Sequence, residues 1–361
     1  MKRIVTVLGA RPQFIKASVV SKAIGQTGKL QEIVVHTGQH FDSNRSEVFF
    51  KELGINTPKY NLQIGGGRHG EMTGRMLVAI EKVLMEEKPD AVMVYGDTNS
   101  TLAGALAAVK LGIPVAHVEA GLRSFNLAMP EEVNRILTDR ISRWLFTPTE
   151  AAACHLRREG VEEERIIPVG DVMYDVALQH SSGVGADERL LKRLKLQPKS
   201  YILATVHRAE NTDDPHRLAV IVEALKQVAK SFPVIWPLHP RTQHALERNG
   251  EPLTGCAHLH VIEPVGYLDM VQLEKYAAVI ATDSGGVQKE AFFHSVPCVT
   301  LRDETEWVEL VEAGWNRLAS LENPDRLAKV IIAAKGLLGH QKLIYGNWSA
   351  SEKIVAALEK A

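Results

Sequence analysis

Cysteine is scarce in this chain. Cys154, Cys256 and Cys298 are the only three in 361 residues, and their scatter fits neither a disulfide framework nor a zinc site. Excess charge is also missing. Forty-two Lys and Arg face 43 Asp and Glu, for a net charge of −1, which leaves no basic footprint for nucleic acid. No apolar run approaches the roughly 20 residues that span a bilayer. The start, MKRIVTVLGARPQ, is basic and then apolar, but its apolar part is short and reads as a first strand rather than a signal peptide. Dinucleotide, Walker and histidine-helix metal fingerprints are lacking. These absences predict a soluble, cytoplasmic protein with no metal, no nucleic-acid partner and no membrane partner.

What is present is a rhythm of strands and helices. At 361 residues and 45% hydrophobic content, two cores are the natural division. Short Val/Ile-rich runs predict strands at 3–9, 32–37, 91–95, 115–118, 144–147 and 166–169. Helical patterns fit 12–26, 70–87, 100–111, 131–142 and 150–159. After Pro198 the rhythm restarts, with strands at 201–205, 234–237, 259–262, 278–281 and 299–301. Alternation of this kind makes parallel, doubly wound sheets. The expectation is an α/β chain of two Rossmann-like domains facing a cleft. The first covers 1–170 plus a returning C-terminal helix (345–361), and the second covers 171–344. The hinge should lie between Gly170 and Pro198, where SSGVGADERLLKRLK is rich in Gly, Ser and charge.

In open α/β sheets, ligands bind outside the carboxyl ends of the strands. Arg11, Asp97 and Glu119 stand at three such ends. Gly9-Ala10-Arg11-Pro12 is a strand-to-helix turn whose backbone N–H groups could face an anion, with Lys16 nearby. It reads equally as an ordinary turn. Asp97 could be a helix cap, but Thr98, Asn99 or Ser100 would serve as well and leave it free. Glu119 lies in HVEAGLR, on a strand that should be buried, so its charge needs a partner. A structural pair with Arg123 is one answer, and a tuned carboxylate is the other. Glu131 opens a helix in PEEVNR, where acids favour the dipole and an (i, i+4) pair with Arg135 is the plain reading. In the second half, His207-Arg208 and His239 recur at neighbouring strand ends. Thr282-Asp-Ser-Gly-Gly-Val-Gln-Lys-Glu290 follows a strand and begins a helix, with Gly285 and Gly286 open to a diphosphate. Alone it is a Gly-rich turn.

Together these motifs identify a resemblance over nearly the whole chain. GxRPxxIK (Gly9–Lys16), GQH (Gly38–His40), GDT (Gly96–Thr98), HVEAGLR, PEExNR, the HR pair and TDSGGxQxE follow the order of the non-hydrolysing UDP-N-acetylglucosamine 2-epimerases. That resemblance implies a glycosyltransferase-B type fold and a UDP-sugar substrate. It implies Asp97, Glu119 and Glu131 as acid/base carboxylates and His207 as a contact to departing UDP. It further implies Arg11, Ser284, Gly285, Gly286 and Glu290 at the UDP. Lys16, His40, Arg75, Arg123, Arg135, Arg208 and His239 complete the expected substrate contacts. No cofactor and no metal are implied, and a homodimer is. The chain departs from the common form at GARPQF, in a shorter Ser124–Met129 segment, at PLHPRT and at Thr305–Glu309. These variants resemble the branch acting on UDP-2,3-diacetamido-2,3-dideoxy-glucuronate for lipopolysaccharide O-antigen. That branch would need a cation for the uronate, such as Arg75, Arg123 or Arg241.

The implied chemistry suits these groups. The C-2 proton of a 2-acetamido sugar has no adjacent carbonyl to acidify it. Loss of UDP first lets a carboxylate take that proton to give a glycal, and a second carboxylate can return one to the other face. Clustered carboxylates should raise one another's pKa. Two other readings stand beside this one. A UDP-sugar glycosyltransferase would transfer to an acceptor without change at C-2, and a non-catalytic sensor would bind without turnover.

Overall fold

The computed structural model describes residues 1–39, 55, 57–181, 189–250, 253, 256–305, 307–340, 345 and 349–360. His40 and the 182–188 stretch of the expected hinge lie outside the described residues. The chain divides into two compact units, Met1–Val176 with Leu343–Ala361, and Ala177–Lys342.

The first unit holds seven strands: β1 (Lys2–Leu8), β2 (Leu30–His36), β3 (Tyr60–Asn61), β4 (Ala91–Tyr95), β5 (Val115–Val118), β6 (Trp144–Thr147) and β7 (Ile166–Pro168). Their order is β3-β2-β1-β4-β5-β6-β7, and the pairs are parallel. Apolar runs without alternation make β1 and β4 buried on both faces. Val5, Val7, Val92, Val94 and Val115 pack on Met76 and Ile80 of the helix His69–Glu87 and on the alanine-rich helix Asn99–Lys110. Strand order reverses between β1 and β4, so the crevice expected of a doubly wound sheet opens there. Gly9 sits at this point, where a Cβ would fall 1.9 Å from Ser100 Oγ and 2.4 Å from Thr37 Oγ1, so only glycine fits. The C-terminal helix Ala350–Lys360 packs on the first helix, Arg11–Thr27. The Asp175 carboxylate accepts from Ser351 N (2.8 Å) and Ser351 Oγ (2.7 Å) and so caps that helix.

In the second unit, β8 (Ile202–Thr205), β9 (Val234–Pro237), β10 (Leu259–Ile262), β11 (Val279–Thr282), β12 (Cys298–Thr300) and β13 (Asn316–Leu318) form a parallel sheet ordered β10-β9-β8-β11-β12-β13. Its reversal lies between β8 and β11. One face carries Ile202, Trp236 and Val279 against the helices Pro215–Val228 and Pro324–Ala333. The other carries Leu203, Ile235 and Ile280 against Leu190, Leu273 and Ala291.

The two parallel α/β sheets match the expectation, and most strand bounds shift by a residue or two. β3 and β13 are additions. Each is an edge strand of two or three residues, too short to show a period.

Candidate active site

In the first unit, the loops after β1, β4 and β5 converge at the reversal point. Gln13 joins two of them. Its Oε1 accepts from Gly9 N (2.7 Å) and Ala10 N (3.0 Å), and its Nε2 donates to Tyr95 O (2.7 Å) and Thr101 Oγ1 (2.9 Å). This corrects one expectation. The Gly9 and Ala10 amides are satisfied by Gln13 instead of being turned out toward an anion. Arg11 is exposed at the start of its helix.

Thr98 caps the helix Asn99–Lys110, accepting from Thr101 N at 3.3 Å, which leaves the Asp97 carboxylate available. Asp97 Oδ2 accepts from Arg135 Nη1 at 2.9 Å, and its backbone carbonyl accepts from Asn134 Nδ2 at 2.9 Å. Burial raises the Asp97 pKa above the usual range. Arg135 and Lys16 oppose that rise, and Glu119 and Glu131 add to it. The direction matches the expectation from clustered carboxylates, but burial is the larger cause.

Glu119 forms an ion pair with Lys16. Its φ is +69°, in the left-handed region, where a non-glycine residue carries about 1 kcal/mol or more of strain. A strained carboxylate at the end of β5 is a feature of functional sites. Arg123 turns the other way. Its guanidinium, 1% exposed, donates to Asp139 Oδ2 and to both oxygens of Glu159, each at 2.7 Å. Asp139 also receives His117 Nδ1 at 2.7 Å, while His117 Nε2 donates to Gly96 O at 2.7 Å. His117 thus explains its place on a buried strand as a bridge to the β4 turn. Burial works to raise Asp139, but His117 and Arg123 outweigh it and hold its pKa low.

Glu131 is exposed on the first turn of the helix Pro130–Ile141. Arg135 reaches past it to Asp97 and Glu132. Arg75 donates to Gly66 O at 2.7 Å and lines an open groove with Tyr60, Leu62 and Val78. Arg241 donates to Asp213 (2.7 Å) and Thr212 (2.9 Å). The three cations expected for a uronate therefore all have partners within the protein.

In the second unit, Asp283 organises the reversal point. Buried at the end of β11, its carboxylate accepts from His207 N (3.0 Å), Arg208 N (3.0 Å) and Asn211 Nδ2 (3.1 Å). The His207 and His239 rings lie 5.3 Å apart. Burial lowers the His207 pKa. Asp283 opposes that, and His239, Arg208 and Arg241 reinforce it. His239 is lowered by burial too, and its Nδ1 accepts from Arg241 N at 3.2 Å.

Ser284 caps the helix Gly285–Phe293 through Val287 N. A Cβ on Gly286 would meet only Ser284 Oγ, at 3.8 Å, so the protein itself does not require glycine there. Glycine costs a helix about 1 kcal/mol relative to alanine, and the space it leaves at a helix N-terminus suits an anion. Glu290, 8% exposed, lies one turn on. Buried Glu274 beside it has a pKa raised well above the carboxylate range, by burial first and then by Glu290.

Sequence reasoning passed over Gln13 and Asp283 as site residues. Asp283 had a signal, being an acid directly after an apolar strand. Gln13 had only a local one, as a helix N3 glutamine that can reach back to the preceding turn; its bonds to Tyr95 and Thr101, more than 80 positions away, had none. Among the described residues, no group of three His, Cys, Asp or Glu could hold a metal ion, and no helix is long and apolar enough to cross a membrane.

Known proteins resemble this chain in sequence and fold. The family model for UDP-N-acetylglucosamine 2-epimerase matches residues 22–359. The UDP-2,3-diacetamido-2,3-dideoxy-D-glucuronate 2-epimerase of Pseudomonas aeruginosa is 53% identical, with 99% of each chain covered. The UDP-N-acetylglucosamine 2-epimerase of Methanocaldococcus jannaschii is 46% identical, over 98% of this chain and 97% of its own. Its crystal structure with UDP-GlcNAc and UDP superposes at a TM-score of 0.86, with 45% identity and all of both chains covered. The Neisseria meningitidis enzyme bound to UDP-GlcNAc gives 0.87 at 31% identity, over 99% of this chain and 100% of that one.

Proposed function

The chain belongs to the UDP-N-acetylglucosamine 2-epimerase family, and from that premise we propose that it inverts C-2 of a UDP-activated 2-acetamido sugar without hydrolysing it. The substrate we assign is UDP-2,3-diacetamido-2,3-dideoxy-glucuronate, converted to the mannuronate epimer. The 53% identity to the Pseudomonas enzyme of that name supports this choice. The second reading, UDP-GlcNAc to UDP-ManNAc, rests on the 46% identity to the Methanocaldococcus enzyme.

One observation carries the chemistry. Asp97 and Glu119 end adjacent parallel strands, each against its own cation, with Glu131 close enough to raise the Asp97 pKa. In our reading UDP binds at Ser284–Gly286, with Glu290 on the ribose hydroxyls. The C-1–O bond breaks as electrons pass to the diphosphate, with His207 and Arg208 nearby. One carboxylate takes the C-2 proton, and the glycal forms. UDP then adds back at C-1 while another carboxylate delivers a proton to the opposite face of C-2. The net reaction is isomerisation, with no electrons gained or lost.

We further propose that the enzyme acts in the cytoplasm as a homodimer and supplies lipopolysaccharide O-antigen synthesis. The test is an NMR assay run side by side on the diacetamido uronate and on UDP-GlcNAc. Preferred epimerisation of the uronate supports the assignment. Preferred turnover of UDP-GlcNAc overturns the branch. Transfer to an added acceptor, with C-2 unchanged, overturns the epimerase.

A further inference from the structure

We propose that Glu132 is a positioning residue for Asp97: it holds Arg135 so that one guanidinium is shared between two carboxylates, and it ties the Ser124–Phe125 loop to the same guanidinium. This rests on the reading of Asp97 as an acid/base group.

Glu132 is fully buried although it opens a helix, so its charge must be matched from within. Oε2 accepts from Ser124 N at 3.0 Å and from Arg135 Nε at 3.0 Å, with Arg135 Nη2 at 2.8 Å. Oε1 accepts from Phe125 N at 2.9 Å. The remaining arm of the guanidinium, Nη1, reaches Asp97. The fork geometry of arginine fixes where Nη1 points once Nε and Nη2 are engaged. Glu132 therefore aims Arg135 at Asp97.

The loop end of this network is held just as firmly. Phe125 has φ +58° and is 74% exposed, and its ring meets His155 edge-on at 5.2 Å. Its conformation is unfavourable for a non-glycine residue and depends on the Glu132 carboxylate accepting both amides. Loop and acid/base group are thus linked through one side chain. Four charged groups face Asp97. They are Arg135 and Glu131 from the helix Pro130–Ile141, Lys16 from the first helix and Glu119 from the end of β5. Of these, Arg135 bonds both Asp97 and a buried acid, Glu132, while Lys16 pairs with Glu119. With Glu132 ionised, the guanidinium divides its charge, and Asp97 is left easier to protonate.

The experiment follows Asp97 itself. Carboxyl 13C resonances of labelled aspartate are titrated, with Asp97 assigned by its loss in Asp97→Asn. In Glu132→Gln the amide oxygen can still accept from Arg135 and keep it aimed at Asp97, but the competing negative charge is gone, so the Asp97 midpoint should fall by about half a unit to one unit. In Arg135→Met it should rise. Glu132→Asp keeps the charge but cannot span both loop amides and the guanidinium, and should shift the midpoint down by less. Turnover in Glu132→Gln should drop about 5- to 10-fold in kcat with KM within twofold, as for an acid/base group whose proton affinity has moved. A wild-type midpoint in whichever of Glu132→Gln and Glu132→Asp folds overturns the proposal. Full turnover in Asp97→Asn would instead overturn the acid/base reading, while the midpoint shifts would still report the coupling.

Discussion

Arg135 and Asp97 meet at 2.9 Å, yet burial still raises the Asp97 pKa. The ion pair does not offset desolvation at this strand end, so folding makes Asp97 easier to protonate than in the unfolded chain. Such a group contributes stability below its unfolded pKa and loses it as pH rises through the raised folded value.

Asp97→Asn mimics the protonated state at every pH. It should therefore unfold at a higher temperature than wild type at pH 8, by about 1–3 °C, with the gap closing toward pH 4. Thermal unfolding followed by circular dichroism across that range is the check. A variant less stable than wild type at pH 8 would mean that the Arg135 pair outweighs burial.

Much of this layout was legible in the sequence, and the exceptions have a common cause. Asp97, Glu119, His207 and the Ser284–Glu290 stretch follow recognisable strands, so their position at the carboxyl edge could be read from pattern alone. Pairing could not. Glu119 reads as a partner for Arg123 four residues on, whereas the fold gives it Lys16 and gives Arg123 to Asp139. The (i, i+4) pairing of Glu131 with Arg135 gives way in the same manner to Asp97 and Glu132. Local spacing offers candidates, but strand order decides which side chains meet. That order, and with it the reversal points, emerges only when the sheets are assembled.

Gln13 tests how far one side chain holds the first reversal point together. Gln13→Leu keeps the approximate volume and removes every hydrogen bond to Gly9, Ala10, Tyr95 and Thr101. Leaving buried amides unmatched should cost about 2–4 kcal/mol. Urea unfolding measures it, and a loss under 1 kcal/mol would show that the two loops stay joined without this residue.

Glu290→Ala should weaken UDP binding by about 1–3 kcal/mol, the range for a lost charge-assisted hydrogen bond. Gly286→Val should weaken it further by filling the space at the helix N-terminus. Calorimetric titration with UDP separates these effects from folding. Wild-type affinity in both folded variants would move the nucleotide away from this helix.

His207 should take up a proton when a nucleotide sugar binds. Burial lowers its pKa, with Asp283 opposing and His239, Arg208 and Arg241 reinforcing, so the free protein holds it neutral near pH 7. A diphosphate alongside would raise that pKa again. In Asp97→Asn, where turnover should be cut sharply, UDP-sugar affinity should rise as pH falls from 8 to 6. Calorimetry in buffers of different ionisation enthalpy counts the proton, and His207→Ala should abolish the uptake. Uptake that persists in that variant would assign it to His239.

The elimination route itself has a direct isotopic signature. If the C-2 proton leaves and another returns, turnover in heavy water must place deuterium at C-2 of the product. Free UDP and the glycal should also accumulate in trace amounts, because an intermediate with a broken C-1–O bond can escape. Asp97→Asn, Glu119→Gln and Glu131→Gln should each cut kcat by roughly 100-fold or more, the loss typical of a positioned acid or base. Their effects should differ in kind. A variant lacking only the returning proton can still exchange deuterium into recovered substrate, whereas one lacking the first base cannot. Comparing exchange with net epimerisation in the three variants therefore assigns the two faces. Product that keeps its original hydrogen at C-2 would falsify elimination altogether and require hydride movement.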